Sequence, residues 1–336
     1  MFSMFEPTLR CDGAMHGGTW QRCMTGRPDS RLPLDELNTA SHYPRGMNDR
    51  ACPACDSQSA ILLGIKTGFK IARCERCRSL YNLRLPTQMA LYDDHYSNSA
   101  MDFPDLVNRR SREIVTTFED FRKTGTLLDV GCGAGIMLKV AVDAGWEAQG
   151  LEIASSAVEE LRKQGFQVRE SLVEEACYPD SAFDVIVANG VIEHVHHPGP
   201  FLAECFRILR PGGLFYVTTP NALGSSARLL GLRWTAVGPH DHVHLFSVSG
   251  LRTLLGSHGF RIEKIAAEGA NPIELLHALR NRGQESDFTH EDRVGSAYRL
   301  NEAFSSSRPR VLIKGLINKV LTATRLGDEL KIYASK

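Results

Sequence analysis

The chain has 336 residues, which predicts two domains or one domain with sizeable additions. Its 39 basic and 39 acidic residues balance, and this excludes a strong overall attraction to nucleic acid or to an anionic membrane. The sequence has neither a run of about 18 apolar residues nor a basic start followed by an apolar stretch, so we predict a cytoplasmic protein without a spanning helix or signal peptide.

The first 46 residues have no sustained helix or strand period. Gly, Pro, Ser and Arg are scattered through them. We predict that residues 1–46 are disordered or that they precede the true start at Met47, and the sequence leaves both alternatives open.

Residues 47–85 contain four of the nine cysteines as two Cys-x2-Cys pairs separated by 18 residues. Four thiolates at this spacing suit a closed tetrahedral Zn²⁺ site that leaves no position for water, so the metal is expected to be structural. We predict a zinc ribbon here, with a redox pair or four unrelated thiols as the alternatives. The predicted ligands are Cys52, Cys55, Cys74 and Cys77.

A helical connector is predicted at 86–125, and strands then alternate with helices. This alternation indicates a Rossmann-like α/β fold, a seven-stranded doubly wound parallel sheet with helices on both faces. We expect its core at 126–268 and its last strand within 326–336. The predicted strands are 126–130, 147–153, 166–169, 183–188, 213–218, 261–266 and 330–333. The predicted helices between them are 136–144, 155–164, 200–209 and 249–258.

A helical insertion is predicted at 269–325, before the last strand. Its segment 311–321 is apolar on a broad helical face, with Lys314, Lys319 and Arg325 nearby. Such a helix can make a peripheral contact with a membrane surface. The same pattern is typical of a core helix or a subunit contact, and we favour that interpretation.

The turn after the first core strand is rich in glycine, reading Asp-Val-Gly-Cys-Gly-Ala-Gly at 129–135. Glycines permit a tight turn and let a ligand approach the backbone at a helix N-terminus. The dinucleotide fingerprint would require glycine at position 136, where this chain has Ile136. The turn by itself therefore indicates a ligand site without identifying the ligand.

Together with the Phe-Asp-Val-Ile strand at 183–186, this turn resembles that of class I S-adenosylmethionine (SAM)-dependent methyltransferases. The resemblance covers about 126–268. It implies that the glycine turn holds the methionine portion of SAM and that Glu152, which ends the second strand, holds the ribose hydroxyls, since a carboxylate accepts hydrogen bonds from both. Further matching segments lie at 179–184, 193–195, 209–213 and 219–221.

The adenine end of the implied cofactor site departs from the family pattern. Many relatives have an aspartate where this chain has Leu172, so we expect the backbone near Val173 to bind adenine, with Glu174 as a further candidate. The cofactor residues implied by the resemblance are Asp129, Gly131, Cys132, Gly133, Gly135, Glu152, Ile153, Val173 and Asn189.

A zinc ribbon joined to a methyltransferase domain resembles a bacterial group associated with glycan, cell-envelope and natural-product pathways. The methyltransferase domain also resembles the ubiquinone-pathway O-methyltransferases. These resemblances imply a small-molecule acceptor, and we predict O-methylation of a sugar or related metabolite.

An alcohol or phenol acceptor requires a base with a pKa near neutrality, which points to histidine. His194 follows the fourth strand, at the sheet edge where ligands of open α/β sheets bind. Alternate positions after the fifth strand carry His240, His242 and His244. We predict His194 and His242 as catalytic residues, with surface or capping histidines as the alternative.

A cation site is a further alternative. Related O-methyltransferases can carry a Glu-x-x-Glu-His cation site, although Gly190 stands where its first glutamate would be. Glu193, His194 and one later histidine would then be the ligands.

Two other functions stay open. The ribbon could hold RNA for methylation, and Arg73, Arg76 and Arg78 support this interpretation. Zero net charge and the lack of interleaved aromatic and basic residues argue against a nucleic-acid partner. The chain could also be a SAM-binding scaffold without catalysis, because the glycine turn and Glu152 concern the cofactor alone. The sequence yields no prediction of oligomeric state.

Overall fold

Short apolar runs separated by glycine turns build two β-sheets in the computed structural model. The structure describes residues 49–87, 105–281, 288–305 and 307–336. The predictions for residues 1–46, and for the connector at 88–104, lie outside the described residues. All described residues belong to one unit, 40–336.

The elements follow the predicted alternation closely. Short 3₁₀ turns occur at Glu119–Phe121, Val173–Glu175 and Gly231–Arg233. The strands are β1 Ala60–Lys66, β2 Phe69–Cys74, β3 Leu80–Asn82, β4 Thr126–Val130, β5 Glu147–Glu152, β6 Val168–Glu170, β7 Phe183–Asn189, β8 Leu209–Pro220, β9 His244–Leu245, β10 Arg261–Glu268 and β11 Glu329–Ser335. The α-helices are α1 Asp105–Thr116, α2 Ile136–Asp143, α3 Ser155–Lys163, α4 Pro198–Ile208, α5 Ser225–Leu230, α6 Val248–Ser257, α7 Pro272–Arg280, α8 His290–Ser305 and α9 Arg308–Thr324.

The larger sheet has seven strands in the order β10-β11-β8-β7-β4-β5-β6. Strands β4 to β8 pair in parallel, whereas β11 runs antiparallel to both of its neighbours. Side chains of α2 and α3 pack on one face, and those of α4 and α6 pack on the other. Because β7 is covered on both faces, its residues are buried from Phe183 to Ala188. The predicted Rossmann-like, seven-stranded doubly wound α/β fold is confirmed. The prediction that all of its strands are parallel is wrong, because β11 is antiparallel.

A buried carboxylate fixes the start of the central strand β4. Asp184 accepts hydrogen bonds from the backbone N–H groups of Lys123, Thr124 and Gly125 at 2.6–2.7 Å, and Arg210 pairs with its other oxygen. Burial raises the pKa of Asp184, but the bonds from Arg210 and these backbone groups outweigh burial and lower it overall. Asp184 therefore holds β4 and β7 in register and so positions the glycine turn that follows β4.

The smaller sheet joins the cysteine-rich unit to the rest of the chain. Its order is β1-β2-β3-β9, and β9 belongs to the segment that follows β8 in the larger sheet. The ribbon cysteines Cys52, Cys74 and Cys77 are buried in the same core cluster as α4 and α6. The ribbon is thus packed into the larger domain rather than appended to it.

Between β10 and β11, the described residues form the helices α7, α8 and α9. The apolar stripe of α9 is exposed, with Leu312, Leu316 and Val320 among the exposed large side chains. The interpretation of this stripe as a core helix is therefore wrong. Among the described helices, none is long and apolar enough to cross a bilayer.

Candidate active site

The glycine turn exposes bare backbone at the carboxyl end of β4. Gly131, Gly133 and Gly135 have φ angles of +66°, +50° and +73°, which favour glycine strongly over other residues. A Cβ on Gly131 would lie 2.6 Å from Cγ2 of Val191, and a Cβ on Gly135 would collide with Leu161. The turn therefore depends on glycine for its backbone angles and for space.

A cleft of about 350 Å³ opens beside this turn, at the carboxyl ends of β4, β5 and β7. Its lining also includes Leu172 and Glu174 from the loop after β6, and Phe201 from α4. The sequence-predicted residues that line it are Gly131, Glu152, Ile153, Val173 and His194. The remaining predicted residues, which are not among its lining, are Asp129, Cys132, Gly133, Gly135, Asn189 and His242.

Glu152 connects the end of β5 to the glycine turn. Its Oε2 accepts a hydrogen bond from the Gly133 N–H at 2.8 Å, and its Oε1 accepts from the N–H groups of Ile153 and Ala154 at 2.7 and 3.0 Å. A carboxylate has about four acceptor sites, so this arrangement leaves one for a ligand hydroxyl. Binding of two vicinal hydroxyls would require Glu152 to release a backbone bond.

Asp129 lies behind the turn and is almost fully buried. Burial, followed by the nearby charge of Glu152, raises the pKa of Asp129 to about 7. Its Oδ2 has no hydrogen-bond partner in the described part of the protein. A buried polar atom without a partner usually indicates a ligand or water. Asp129 thus fits a ligand that carries a positive charge or N–H donors.

Three of the other predicted residues make contacts within the turn or between neighbouring strands. The Cys132 N–H donates to the Leu151 carbonyl at 3.0 Å, and the Gly135 N–H donates to the Cys132 carbonyl at 2.7 Å. Asn189 accepts a hydrogen bond from the Thr218 hydroxyl at 2.6 Å. These contacts shape the loops on either side of the cleft.

Two histidines meet at the other end of the cleft. The ring centroids of His194 and His242 are 4.7 Å apart with their planes at 73°. His194 Nδ1 lies 2.8 Å from Asp241 Oδ1, and His242 Nδ1 lies 2.7 Å from the Ala236 carbonyl oxygen. Both oxygens can only accept, so we assign a proton to Nδ1 of each ring. The Nε2 atom of each neutral ring is then a proton acceptor.

The two histidines differ in charge and in exposure. Burial lowers the pKa of His194, but the hydrogen bond to Asp241 and the charge of Glu193 outweigh burial and raise it overall. Burial and repulsion from His194 lower the pKa of His242 to about 4. The side chain of His194 is 22% exposed and lines the cleft, whereas that of His242 is 8% exposed and lies outside the cleft lining. His194 is therefore the better placed proton acceptor.

The geometry of these side chains also fits the alternative of a cation site. Glu193, His194 and His242 each offer a ligand atom, and the three atoms lie within 4.8 Å of one another. Glu193 is buried, its Oε2 has no partner among the described residues, and burial raises its pKa. This side-chain group fits either a small cation or a hydrogen-bonded base.

The four ribbon cysteines converge on one point. Their sulfurs lie within 4.8 Å of one another, with Cys52 Sγ 3.5 Å from Cys77 Sγ and Cys55 Sγ 3.6 Å from Cys74 Sγ. Four sulfurs at about 2.3 Å from a central Zn²⁺ would be about 3.8 Å apart. The donor set and its spacing fit a tetrahedral Zn²⁺.

Ribbon residues also hold the loop that carries Asp241 and His242. Asn82 Nδ2 donates to the Pro239 carbonyl at 2.7 Å, and Arg50 donates to the Val243 carbonyl at 2.7 Å. On the far side of the same loop, His244 Nε2 lies 3.0 Å from the Ile192 carbonyl oxygen, next to Glu193 and His194. The sequence did not indicate this connection.

Asp241 is a candidate functional residue that sequence reasoning missed. It lies 47 residues beyond His194, in a loop without regular structure. The available signal was its place in the run His240-Asp241-His242, where an acid stands between two candidate bases.

The strand order, the glycine turn and the acid at the end of the next strand define a class, the Rossmann-like proteins that bind a nucleoside-containing ligand at the carboxyl edge of the sheet. A family model described as a methyltransferase domain matches residues 103–265. A "Probable S-adenosylmethionine-dependent methyltransferase" of Mycolicibacterium smegmatis is 34% identical over 153 residues, which are 44% of this chain and 58% of that protein. A ubiquinone biosynthesis O-methyltransferase of Methylococcus capsulatus is 30% identical over 160 residues, which are 44% of this chain and 67% of that protein.

Among solved structures, a SAM-dependent methyltransferase from Archaeoglobus fulgidus is similar, with a TM-score of 0.47, 21% identity, and coverage of 73% of this chain and 98% of that chain. This chain spans little more than half the length of the Mycolicibacterium relative. It belongs to the SAM-dependent methyltransferases. SAM is the cofactor that follows from this membership.

Proposed function

We propose that this protein transfers the methyl group of SAM to an oxygen atom of a small-molecule acceptor, with His194 as the base. One observation carries the proposal: a single cleft has the glycine turn and Glu152 at one end and His194, hydrogen-bonded to Asp241, at the other. A cofactor and an acceptor bound in this cleft would have their reacting groups close together.

The residues around the glycine turn fit SAM. Bare backbone at Gly131 suits its amino-acid portion, and the remaining acceptor site of Glu152 suits a ribose hydroxyl. Asp129 lies outside the cleft lining, so a contact of its Oδ2 with the amino group of SAM would require the turn to open. Ile153 and Val173 would contact the adenine end of the cleft. The remaining cofactor residues named above, Cys132, Gly133, Gly135 and Asn189, would act indirectly, by holding the shape of these loops.

For methyl transfer to an oxygen atom, the protein must chiefly remove the proton of the acceptor hydroxyl. SAM supplies an activated sulfonium methyl, so an oxygen held in line about 3 Å away can react once its proton is accepted. Asp241 keeps the His194 Nδ1 proton in place, which leaves Nε2 to take the acceptor proton and stabilises the imidazolium that forms. His242, neutral at pH 7 because its pKa is low, packs edge-on against His194 and limits its movement.

The acceptor is proposed to be a sugar or another small hydroxylated metabolite of envelope or secondary metabolism. The Methylococcus relative is named for O-methylation in ubiquinone biosynthesis, which supports an oxygen acceptor of small size. The zinc ribbon supports the sugar assignment through the resemblance described above.

We further propose that Cys52, Cys55, Cys74 and Cys77 hold a structural Zn²⁺. Because β3 pairs with β9, a ribbon folded around its metal would support the loop from Pro239 to Ser247 and so position Asp241. The proposed role of the metal is therefore indirect, acting through the shape of the acceptor end.

The test is incubation of the purified protein with methyl-labelled SAM and three acceptor pools: phenols, nucleotide-linked sugars and RNA. We expect label in a phenol or sugar, release of S-adenosylhomocysteine, and a rate that added Mg²⁺ or Mn²⁺ leaves unchanged. Transfer to RNA would favour the nucleic-acid alternative, and SAM binding without transfer to any pool would favour the scaffold alternative. A rate that depends on the added cation would favour the cation site at Glu193.

A further inference from the structure

We propose that the outward face of α9 docks on a membrane surface with anionic headgroups, with the helix axis lying in the plane of the surface. The helix differs from an ordinary surface helix because its large apolar side chains face outward, whereas Asn318 and Thr322 face the protein. The basic side chains of Arg310, Lys319 and Arg325 are exposed as well.

Hydrogen bonds fix the inward face of the helix. The Thr322 hydroxyl donates to the Ala267 carbonyl at 3.0 Å, and Thr322 Oγ1 lies 3.2 Å from the Ala267 N–H. One turn earlier, the side-chain oxygen of Asn318 accepts from the Gly269 N–H at 3.3 Å. These contacts with β10 and the residue that follows it orient α9, so its outward face is set by the fold.

The outward face is apolar along its length. Leu312, Leu316 and Val320 recur at intervals of four residues and are 74%, 64% and 55% exposed. Ile313 and Ile317 widen the same face and are also exposed. Five large apolar side chains side by side on one helix indicate an interaction surface rather than scattered exposure.

The positive charge of α9 indicates which kind of partner its outward face would bind. From Arg308 to Arg325 the sequence has five basic and no acidic residues, although the chain as a whole has zero net charge. A two-fold contact with a second copy would set this basic helix against itself. Anionic headgroups complement the basic residues while the acyl region accepts the apolar face.

A small cavity at the end of α9 adds to the match. It has a volume of about 220 Å³ and is lined by Arg252 and Arg325 together with Thr322 and the apolar Ile265. Arginine pairs well with phosphate oxygens. The two arginines of this cavity suit a phosphate group, at the end of α9 where this helix meets α6 and β10.

The test is flotation of the full chain with vesicles of phosphatidylcholine alone or with one quarter phosphatidylglycerol. We expect binding to the anionic vesicles, weaker binding at high salt, and at least a tenfold loss in the variant Leu312→Gln/Leu316→Gln. The matched control is Leu229→Gln/Leu276→Gln, which changes two leucines of α5 and α7 that are 71% and 54% exposed. This control should bind like the unchanged protein.

Several results would overturn the proposal. They are the absence of binding to anionic vesicles, equal binding to neutral vesicles, and equal loss in both double variants. Light scattering gives a separate readout: a dimer abolished by Leu312→Gln/Leu316→Gln, without vesicle binding, would assign the face to a second copy instead. All four substituted leucines are exposed, so unchanged circular dichroism and SAM affinity are expected and serve as controls for folding.

Discussion

At the scale of single residues, the proposed base His194 depends on its contact with Asp241. The carboxylate lies 2.8 Å from Nδ1 and raises the pKa of a ring that burial alone would make less basic. A base with a pKa near the working pH combines an available lone pair with adequate proton affinity. Asp241 is therefore expected to set the pH range of activity without touching either substrate.

Substituting Asp241→Asn tests this role. The amide oxygen can still accept from Nδ1, but the negative charge is lost and the pKa of His194 should fall. Since His194 must be unprotonated to act, the acidic limb of the kcat–pH profile should move to lower pH, with a lower plateau because the imidazolium is less stabilised. SAM affinity should stay unchanged in calorimetry. A limb that stays in place would contradict the assignment of His194 as the base.

The sequence predicted Glu152 and His194 because Glu152 ends one parallel strand and His194 lies in the loop after another, where the fold brings side chains to one edge. It could not identify Asp241 as the partner of His194, because the pairing depends on the path of an irregular loop. The sequence also predicted His242 as a candidate base equal to His194. In the structure His242 is more deeply buried, and its Nδ1 is hydrogen-bonded to the Ala236 carbonyl. Relative depth within a site is a property of packing that sequence spacing does not encode.

At the scale of elements, the ribbon and the loop after β8 form one supporting structure. The pairing of β3 with β9 involves only Leu80–Leu245 and Tyr81–His244, yet Asn82 and Arg50 extend it with side-chain bonds to the same loop. If the four cysteines hold Zn²⁺ as proposed, its loss is expected to affect turnover more than cofactor binding.

Cys74→Ser tests this coupling, with Cys177→Ser as the matched control because Cys177 is exposed and lies outside the ribbon. The unchanged protein and the control should contain about one zinc per chain, and Cys74→Ser should contain less. Turnover should fall in Cys74→Ser, while SAM affinity changes little. Equal zinc content in all three proteins would contradict the metal site.

A second variant separates the loop from the metal. Asn82→Ala removes the bond to the Pro239 carbonyl but leaves all four cysteines in place. If that bond contributes about 1 kcal/mol to holding the loop, turnover should fall about fivefold with zinc retained. Unchanged turnover would show that the ribbon does not position the loop.

The central strands β4 and β7 were predictable because each is a short apolar run between turn residues, a pattern that reflects burial on both faces. The edge strands were predictable from their place in the strand–helix alternation, since β6 and the first half of β10 are largely polar and exposed. β9 was not, because a two-residue strand has no period and its partner is far away in the sequence. For the stripe on α9, the core-helix interpretation was wrong, whereas the subunit and membrane contacts stay predictions. Periodicity shows that a helix has an apolar face, but not which face points toward the protein.

At the scale of the whole molecule, stability depends on a few buried polar contacts that connect distant segments. Asp184 is the clearest case, since it joins the start of β4, β7 and Arg210 in β8. Removing its charge would leave these buried donors without a charged acceptor. Such a change lowers the free energy of unfolding more than the loss of a surface ion pair does.

Asp184→Asn should reduce the free energy of unfolding by about 2–4 kcal/mol in urea titration at neutral pH. Asp180→Asn is the control, because that exposed carboxylate pairs with Arg207 at the surface and should cost less than about 1 kcal/mol. The folded-state pKa of Asp184 is lowered, so its contribution is present above its ordinary pKa of 3.8 and is lost as the pH falls further. The free energies of unfolding of the unchanged protein and of Asp184→Asn should therefore converge in acid. A difference between them that persists in acid would argue against this role.

The most direct measurement is calorimetric titration of SAM into the unchanged protein, Gly131→Ala and Gly165→Ala. Both glycines have positive φ angles, +66° and +88°, but a Cβ at Gly165 meets no atom within 4 Å, whereas one at Gly131 collides with Val191 beside the cleft. We predict one SAM per chain for the unchanged protein and for Gly165→Ala, and at least tenfold weaker binding for Gly131→Ala, a loss of about 1.4 kcal/mol or more. Equal affinity in all three proteins would contradict the proposal that the cofactor lies against the glycine turn.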